Sequence, residues 1–343
     1  MKFNRESEST MRIREIRLGQ TGTADVLRIH EADVSEQLNA GEVRIRVHYS
    51  GINFADVHMR VGLYVGTPKR PFVPGFEISG IVEAIGSGVT SIHVGDAVIA
   101  GTLYGGYRSH VVIPAWQAIP LPKHLSLQDG AALPVAFVTA YVALHEMGRI
   151  RKSDRIMIDC ATGGVGTIAL QMARDVGCET IGLSGSPGKF SYVEKLGGKP
   201  MLRSEYENND KVGGFDFILN SSGGKSLLRD HARLRSTGRL VSIGASSLLK
   251  NGRPHAPSIA GFLYHSFRPL ALQSLFDDSK GFFGLSVNKL FTEENLTKTF
   301  IPAIATTKVV PFVGQTFEAH HVADAHRHLE SGAAKGKVLL QWQ

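Results

Sequence analysis

The stretch RIMIDCATGGVGTIALQMA, from Arg155 to Ala173, constrains the fold of this chain more than any other. An apolar strand-like run ends at Cys160, a glycine-rich turn follows, and an amphipathic helix pattern starts at once. Glycines in such a turn let the backbone approach a pyrophosphate, which then sits against the N–H groups that open the helix. Aligned to the dinucleotide fingerprint G-x-G-x-x-G, the positions are Ala161, Gly163 and Gly166, with Gly164 and Val165 inside the same turn. Ala161 stands where the first glycine is usual, which weakens the bare motif. The strand before it, the helix after it and further strand–helix units downstream weigh against an ordinary glycine-rich turn.

The following strand bears on which dinucleotide is bound. An NAD site carries Asp or Glu about twenty residues on, to bind the ribose hydroxyls. Here that place falls in GLSGSPGK, Gly182–Lys189, which holds no acid. Ser184, Ser186 and Lys189 would instead accept a 2′-phosphate, and Arg203, at the predicted end of the next strand, is a further candidate. This set favours NADPH.

Strand–helix alternation continues through FDFILNSSG and GRLVSIGAS, as expected of a parallel sheet with helices on both faces. Before Asp129 the pattern differs. EVRIRVHYSGI (Glu42–Ile52) alternates with the period of a half-buried strand, and short apolar runs broken by Gly and Pro suggest a rolled antiparallel sheet. DGAALPVAFVTAYVALHEMG, Asp129–Gly148, reads as one helix. Leu248–Ser279 has no clean period and reads as a long excursion. The tail ends in a strand, KVLLQW, that must join some sheet.

At 343 residues two domains are expected, and a net charge of 38 − 31 = +7 without a dense Lys/Arg stripe argues against a nucleic-acid binder. The two cysteines, Cys160 and Cys178, support neither a disulfide framework nor a Cys-rich zinc site, and read as buried thiols. No run is long and apolar enough to span a bilayer, and residues 1–10 read as a loose polar extension, so a cytoplasmic protein is expected.

GINFADVHMR, PFVPGFEISGIVEAIGSGV, VGDAVIA, ALPVAFVTAY, ATGGVG and KGKVLL occur in that order and spacing. On these motifs the chain resembles the medium-chain dehydrogenase/reductase superfamily, its zinc-independent quinone oxidoreductase branch, and within that the vesicle amine transport protein homologues. The resemblance implies an α/β fold: a GroES-like β-rich catalytic domain over residues 11–137 with 309–343, and a doubly wound Rossmann NADP-binding domain over 138–308. It also implies a homodimer whose Rossmann sheets pair edge to edge. In zinc-dependent members Cys, His and Cys hold the catalytic metal. Those positions carry Asn53, Phe76 and Ala136 here, and the four-Cys lobe is absent, so no metal is expected.

By the same resemblance Asn53 and Tyr64 lie by the nicotinamide and Thr139 on the phosphate side, with Asn220 and Ser221 after the fourth strand. Gly244, Ala245, Phe283 and Leu285 would line the nicotinamide end, and Lys335 would approach it from the tail. The implied reaction is NADPH-dependent reduction of a small quinone or α,β-unsaturated carbonyl. Tyr64 reads as a proton donor or as an aromatic wall. Asp56 reads as the acid of a capped first helical turn or as a base, with Asn53 as the cap. His320, His321, His326 and His328 read as a solvated helix face. The alternative function is a low-turnover nucleotide-binding trafficking or lipid-transfer protein on the same fold, with the basic, aromatic excursion as its contact surface or as a lid.

Overall fold

The computed structural model describes residues 9–250, 252–267 and 277–343. The expected N-terminal extension lies, but for Ser9 and Thr10, outside the described residues, as does part of the excursion between Leu248 and Ser279.

The first third builds β1 (Thr10–Leu18), β2 (Leu27–Ser35), β3 (Glu42–Ile52), β4 (Glu77–Ile85), β5 (Ala97–Gly101), β6 (His110–Pro114) and β7 (Ile119–Pro120). β3 occupies the span that its alternation predicts, burying Val43, Ile45 and Val47 on one face. The second sheet contains β8 (Arg155–Ile158), β9 (Glu179–Ser184), β10 (Lys199–Leu202), β11 (Phe215–Asn220) and β12 (Leu234–Ser242). A two-residue pair, β13 (Leu249–Lys250) and β14 (Arg253–Pro254), precedes β15 (Gly281–Gly284). The tail supplies β16 (Val313–Glu318) and β17 (Lys337–Gln341).

Among the described residues the second sheet runs β10-β9-β8-β11-β12-β15, parallel at every pairing. Numbered from β8, that is the order 3-2-1-4-5-6 of dinucleotide-binding sheets, whose ligand crevice opens at the carboxyl ends of the strands where the order reverses. β8 and β11 flank that point. The other large sheet runs β16-β17-β3-β4-β5-β7, with β6 also on β3. β17 slots antiparallel onto β3, with Val338 opposite Ile52, so the orphan tail strand completes the first sheet. Trp342, 2% exposed, seals it by donating from Nε1 to Ser50 Oγ at 2.8 Å.

The helix read as continuous over Asp129–Gly148 is divided. It forms α2 (Leu127–Ala131), then α3 (Pro134–Tyr141), which continues with π geometry through Val142–Met147. Pro134 has no N–H to continue the first segment and opens the second at its first turn. The cap also moves upstream of its expected place: Ser126 Oγ accepts the Asp129 N–H, and Asp129 accepts the Ser126 N–H. α1 (Phe54–Val61) follows β3 directly. α4 (Gly164–Val176) follows the glycine-rich turn and stops at Gly177, whose φ of 89° needs no Cβ penalty. Among the described residues no helix is long and apolar enough to cross a membrane.

Candidate functional site

A cavity of about 750 Å³ opens at the carboxyl ends of β8, β9, β11 and β12, and extends to α1 and the tail. Its floor is the glycine-rich turn. The Gly163 N–H bonds back to the Cys160 carbonyl at 2.9 Å, with Cys160 itself in the left-handed region at φ 51°. A Cβ on Gly166 would stand 2.3 Å from the Cys160 oxygen and 2.7 Å from Ala161 Cα. The helix start therefore approaches the strand end as closely as a glycine allows, and Gly163–Gly166 line the cavity. A turn of this shape can hold a phosphate.

Gly163, Gly164, Val165, Gly166, Ser184, Lys189, Arg203, Ser221, Gly244, Ala245, Leu285, Thr139, Asn53 and Tyr64 all line this one cavity. Ala161 does not. It lies fully buried beneath the turn, donating its N–H to Leu183. Ser186 is off the cavity as well, exposed, and offers only its carbonyl to Ser184 Oγ. Asn220 is spent inside the chain: its Nδ2 donates to Ser226 and Asp230 and its Oδ1 accepts the Gly223 N–H, which shapes the turn after β11. Phe283 lies on the outer strand β15, 38% exposed and away from the cavity. Lys335 points elsewhere too, with its ammonium 4.7 Å from the centroid of the Tyr192 ring. Its place at the cavity is taken by Lys337, two residues on, the first residue of β17, whereas Lys335 precedes the strand.

The two cations expected at the 2′-phosphate are present but engaged. Lys189 Nζ donates to the carbonyls of Gly332 and Ala334 at 2.6 and 2.8 Å, holding the tail against the parallel sheet. Arg203 pairs with Asp159 at 2.5 Å and donates to Ser222 Oγ at 3.0 Å and Cys160 Sγ at 3.2 Å. Burial pushes the Asp159 carboxyl up, but Arg203 and the hydroxyls of Ser222 and Ser221 outweigh it and hold it below the usual range. Neither cysteine is fully buried as expected, and both are free. Burial pushes the Cys160 thiol up.

At α1, Asp56 Oδ2 accepts the Asn53 N–H at 2.8 Å and Oδ1 accepts the Gly75 N–H at 3.2 Å. Asp56 is buried away from the cavity, so a base that reaches a substrate there has no geometric basis. Burial raises its carboxyl to about 7, against those hydrogen bonds and the Lys337 charge. Asn53 and Asp56 thus form the capping box that opens α1, and the Asn53 carboxamide also bonds Glu77 and Lys337. His58 lines the cavity with its Nε2 unpartnered, and burial lowers it to about 4.

Tyr64 stands in an aromatic wall, its ring 6.1 Å from that of Phe76, which in turn lies 5.7 Å from Tyr104. The Tyr64 oxygen accepts an N–H from Asn288 at 2.7 Å. Burial, with Tyr104 and Asp56 nearby, pushes the phenol up to about 12, so it is a neutral donor at working pH. The positions that would carry zinc ligands hold a carboxamide (Asn53), this ring (Phe76) and the methyl of a fully buried Ala136. Among the described residues no group of three or more His, Cys, Asp or Glu side chains converges as a metal site. His326 departs from the expected solvated face. It is fully buried against Tyr107, and burial lowers it to about 3.

Sequence reasoning missed Glu77, Asn288, Lys337 and Asp159. Glu77 and Lys337 sit inside motifs already noted, and a charged residue in an otherwise apolar strand was the available signal.

Comparison with known proteins gives a consistent setting. Residues 39–123 match the alcohol dehydrogenase GroES-like domain family and residues 201–340 the zinc-binding dehydrogenase family. The chain is 30% identical to the synaptic vesicle membrane protein VAT-1 homolog of Danio rerio, over 97% of this chain and 71% of the relative. It is 31% identical to a probable quinone oxidoreductase of Leishmania amazonensis, over 91% and 92% of the two. The Escherichia coli quinone oxidoreductase structure, complexed with NADPH, superposes with a TM-score of 0.80 at 28% identity, covering 96% of this chain and all of that one.

Proposed function

The chain belongs to the medium-chain dehydrogenase/reductase superfamily, and on that premise we propose that this oxidoreductase reduces quinones or α,β-unsaturated carbonyls with NADPH, by direct hydride transfer and without zinc. The observation that carries the proposal is that one cavity is lined both by the phosphate cradle Gly163–Gly166 and by the aromatic wall of Tyr64 and Phe76. When bound, NADPH supplies the hydride.

The chain's own residues do the rest. N–H groups at the start of α4 bind the pyrophosphate, and Ser184, Arg203 and the remaining Lys189 N–H meet the 2′-phosphate. Thr139 lies on the phosphate side, and Ser221, Gly244, Ala245 and Leu285 enclose the ribose and nicotinamide end. The apolar wall excludes water and stacks a planar acceptor. Conjugation spreads the developing negative charge over the acceptor, so hydrogen-bond donors suffice to stabilise it. Tyr64, its oxygen already accepting from Asn288, keeps its own proton for the acceptor oxygen.

A panel of quinones, enones and enoyl thioesters with NADPH tests the reaction, with dissociation constants for NADPH and NADH alongside. Equal or tighter NADH binding would refute the cofactor reading. Saturable NADPH binding with no turnover, together with liposome binding, would favour the trafficking or lipid-transfer alternative instead. The same reading takes residues 11–137 with 309–343 as the catalytic domain and 138–308 as the nucleotide domain. It also takes the outer edge of β15 as the contact of a homodimer, checked by light scattering, and the cytoplasm as the setting of the two free thiols.

A further inference from the structure

Lys337 is 4% exposed yet lines the cavity. Its stem crosses the glycine-rich turn so closely that a Cβ on Gly164 would lie 3.2 Å from Lys337 Cδ. Its ammonium forms an ion pair with Glu77 Oε1 and donates to Asn53 Oδ1 at 2.7 Å. Glu77 is fully buried. Its Oε2 accepts the Val135 N–H at 2.8 Å, and its Oε1 also accepts from Asn53 Nδ2 at 2.9 Å.

These contacts remove the usual ambiguity of a carboxamide. An ammonium only donates, so it must meet the oxygen of Asn53; a carboxylate only accepts, so it must meet the nitrogen. Turning the amide over would set oxygen against carboxylate and N–H against ammonium, in a buried place where neither finds water. One hydrogen of Nδ2 is then left over, on a side chain that lines the cavity.

We propose that Lys337 is a positioning residue, which locks the Asn53 carboxamide so that its free Nδ2–H faces the cavity as a fixed donor to the acceptor's carbonyl oxygen. The identity of that oxygen rests on the reductase reading above; the lock does not. A donor oriented before reaction costs no reorganisation when charge develops, which is where most electrostatic catalysis originates. The lock also follows the cofactor cradle, because Gly336, next to Lys337, donates its N–H to the Thr162 carbonyl at 2.7 Å. A lysine that merely neutralised Glu77 would be dispensable once the charge on Glu77 were removed. That difference is testable.

Four variants decide it: Lys337→Met, Lys337→Met with Glu77→Gln, Asn53→Ala, and Asn53→Ala with Lys337→Met. The charge-balanced pair guards against misfolding of the single variant, and thermal unfolding is followed for all. The expected result is a kcat lowered about tenfold or more in the first three, as for loss of one oriented donor. Adding Lys337→Met to Asn53→Ala should cost less than about threefold further, because both changes remove one interaction. Dissociation constants for NADPH should move far less than kcat. In the cofactor-free protein, the side-chain carboxamide NMR signals of Asn53 should shift on Lys337→Met. Wild-type kcat in the charge-balanced pair, multiplying losses, or an unmoved carboxamide signal would each overturn the lock. Absence of any turnover by the wild type would instead fail the reductase reading, with the carboxamide signal still deciding the lock.

Discussion

The N–H of Gly336 donates to the carbonyl of Thr162 at 2.7 Å, so the tail strand is tied to the glycine-rich turn. Lys189 reinforces the tie through its two bonds to the carbonyls of Gly332 and Ala334. Lys189→Ala should therefore do two things at once. NADPH affinity should fall about tenfold, as for loss of a charged phosphate partner, with NADH affinity less affected. Amide hydrogen exchange over residues 331–336 should quicken even without cofactor. Unchanged exchange there would separate Lys189 from the tail.

Tyr64→Phe keeps the aromatic wall and removes the hydroxyl. If Tyr64 delivers the proton, kcat should fall about 100-fold, within the range for a general acid, with NADPH binding unchanged. Because the phenol is pushed up to about 12, the wild-type rate should show no loss from its ionisation up to about pH 10. Unchanged turnover in the variant would leave Tyr64 as wall alone.

Gly166→Ala should be costly for its size. The new Cβ would meet the Cys160 carbonyl and Ala161 Cα, both backbone atoms that cannot swing away. Overpacking of this kind costs about 1–3 kcal/mol, read as a lower midpoint in urea, and displacing the start of α4 should weaken NADPH by at least tenfold.

Three buried groups near α1 set opposing pH dependences. Asp56 is raised to about 7 when folded, so between about pH 4 and 7 the folded state holds the extra proton and stability falls as pH rises. His58 and His326 are lowered to about 4 and about 3. Between about pH 4 and 6.5 the unfolded state therefore holds their protons, and stability rises with pH. The two histidines outweigh the one carboxyl, so these groups together make stability climb from about pH 4 to 6.5. Asp56→Asn should steepen that climb, measured as unfolding free energy in urea at several pH values. A slope unaltered by the substitution would mean that Asp56 is ionised in the fold.

Local pattern exposed much of this architecture and less of the site. β3 was legible because one face is buried and the other wet, and α4 because glycines bracket an amphipathic run. β2 escaped notice: of its nine residues only Leu27 is buried, so LRIHEADVS carries little alternation. Residues that act through their own backbone, such as Gly163 and Gly166, could be placed from sequence. Glu77, Lys337 and Asn53 could not be brought together that way, because their contact depends on β17 finding β3. The choice of Lys335 over Lys337 shows the same limit, since Lys335 lies before β17 begins and only the folded course of the tail brings Lys337 to the cavity. Asn220 misled because a polar residue after a strand can serve a turn as readily as a ligand.

The pairing of β17 with β3 also fixes a timetable. Residues 52 and 338 are strand partners, with the whole parallel sheet encoded between them. At ribosomal rates of about 5–20 residues per second, roughly 15–60 s separate their synthesis. For that interval only the Tyr49–Ile52 end of one β3 edge is unmatched, since β6 already pairs with Glu42–Arg46, and an open edge is the kind that recruits other chains. The contact of Lys337 with Asn53 therefore cannot form before the last residues of the chain have been made.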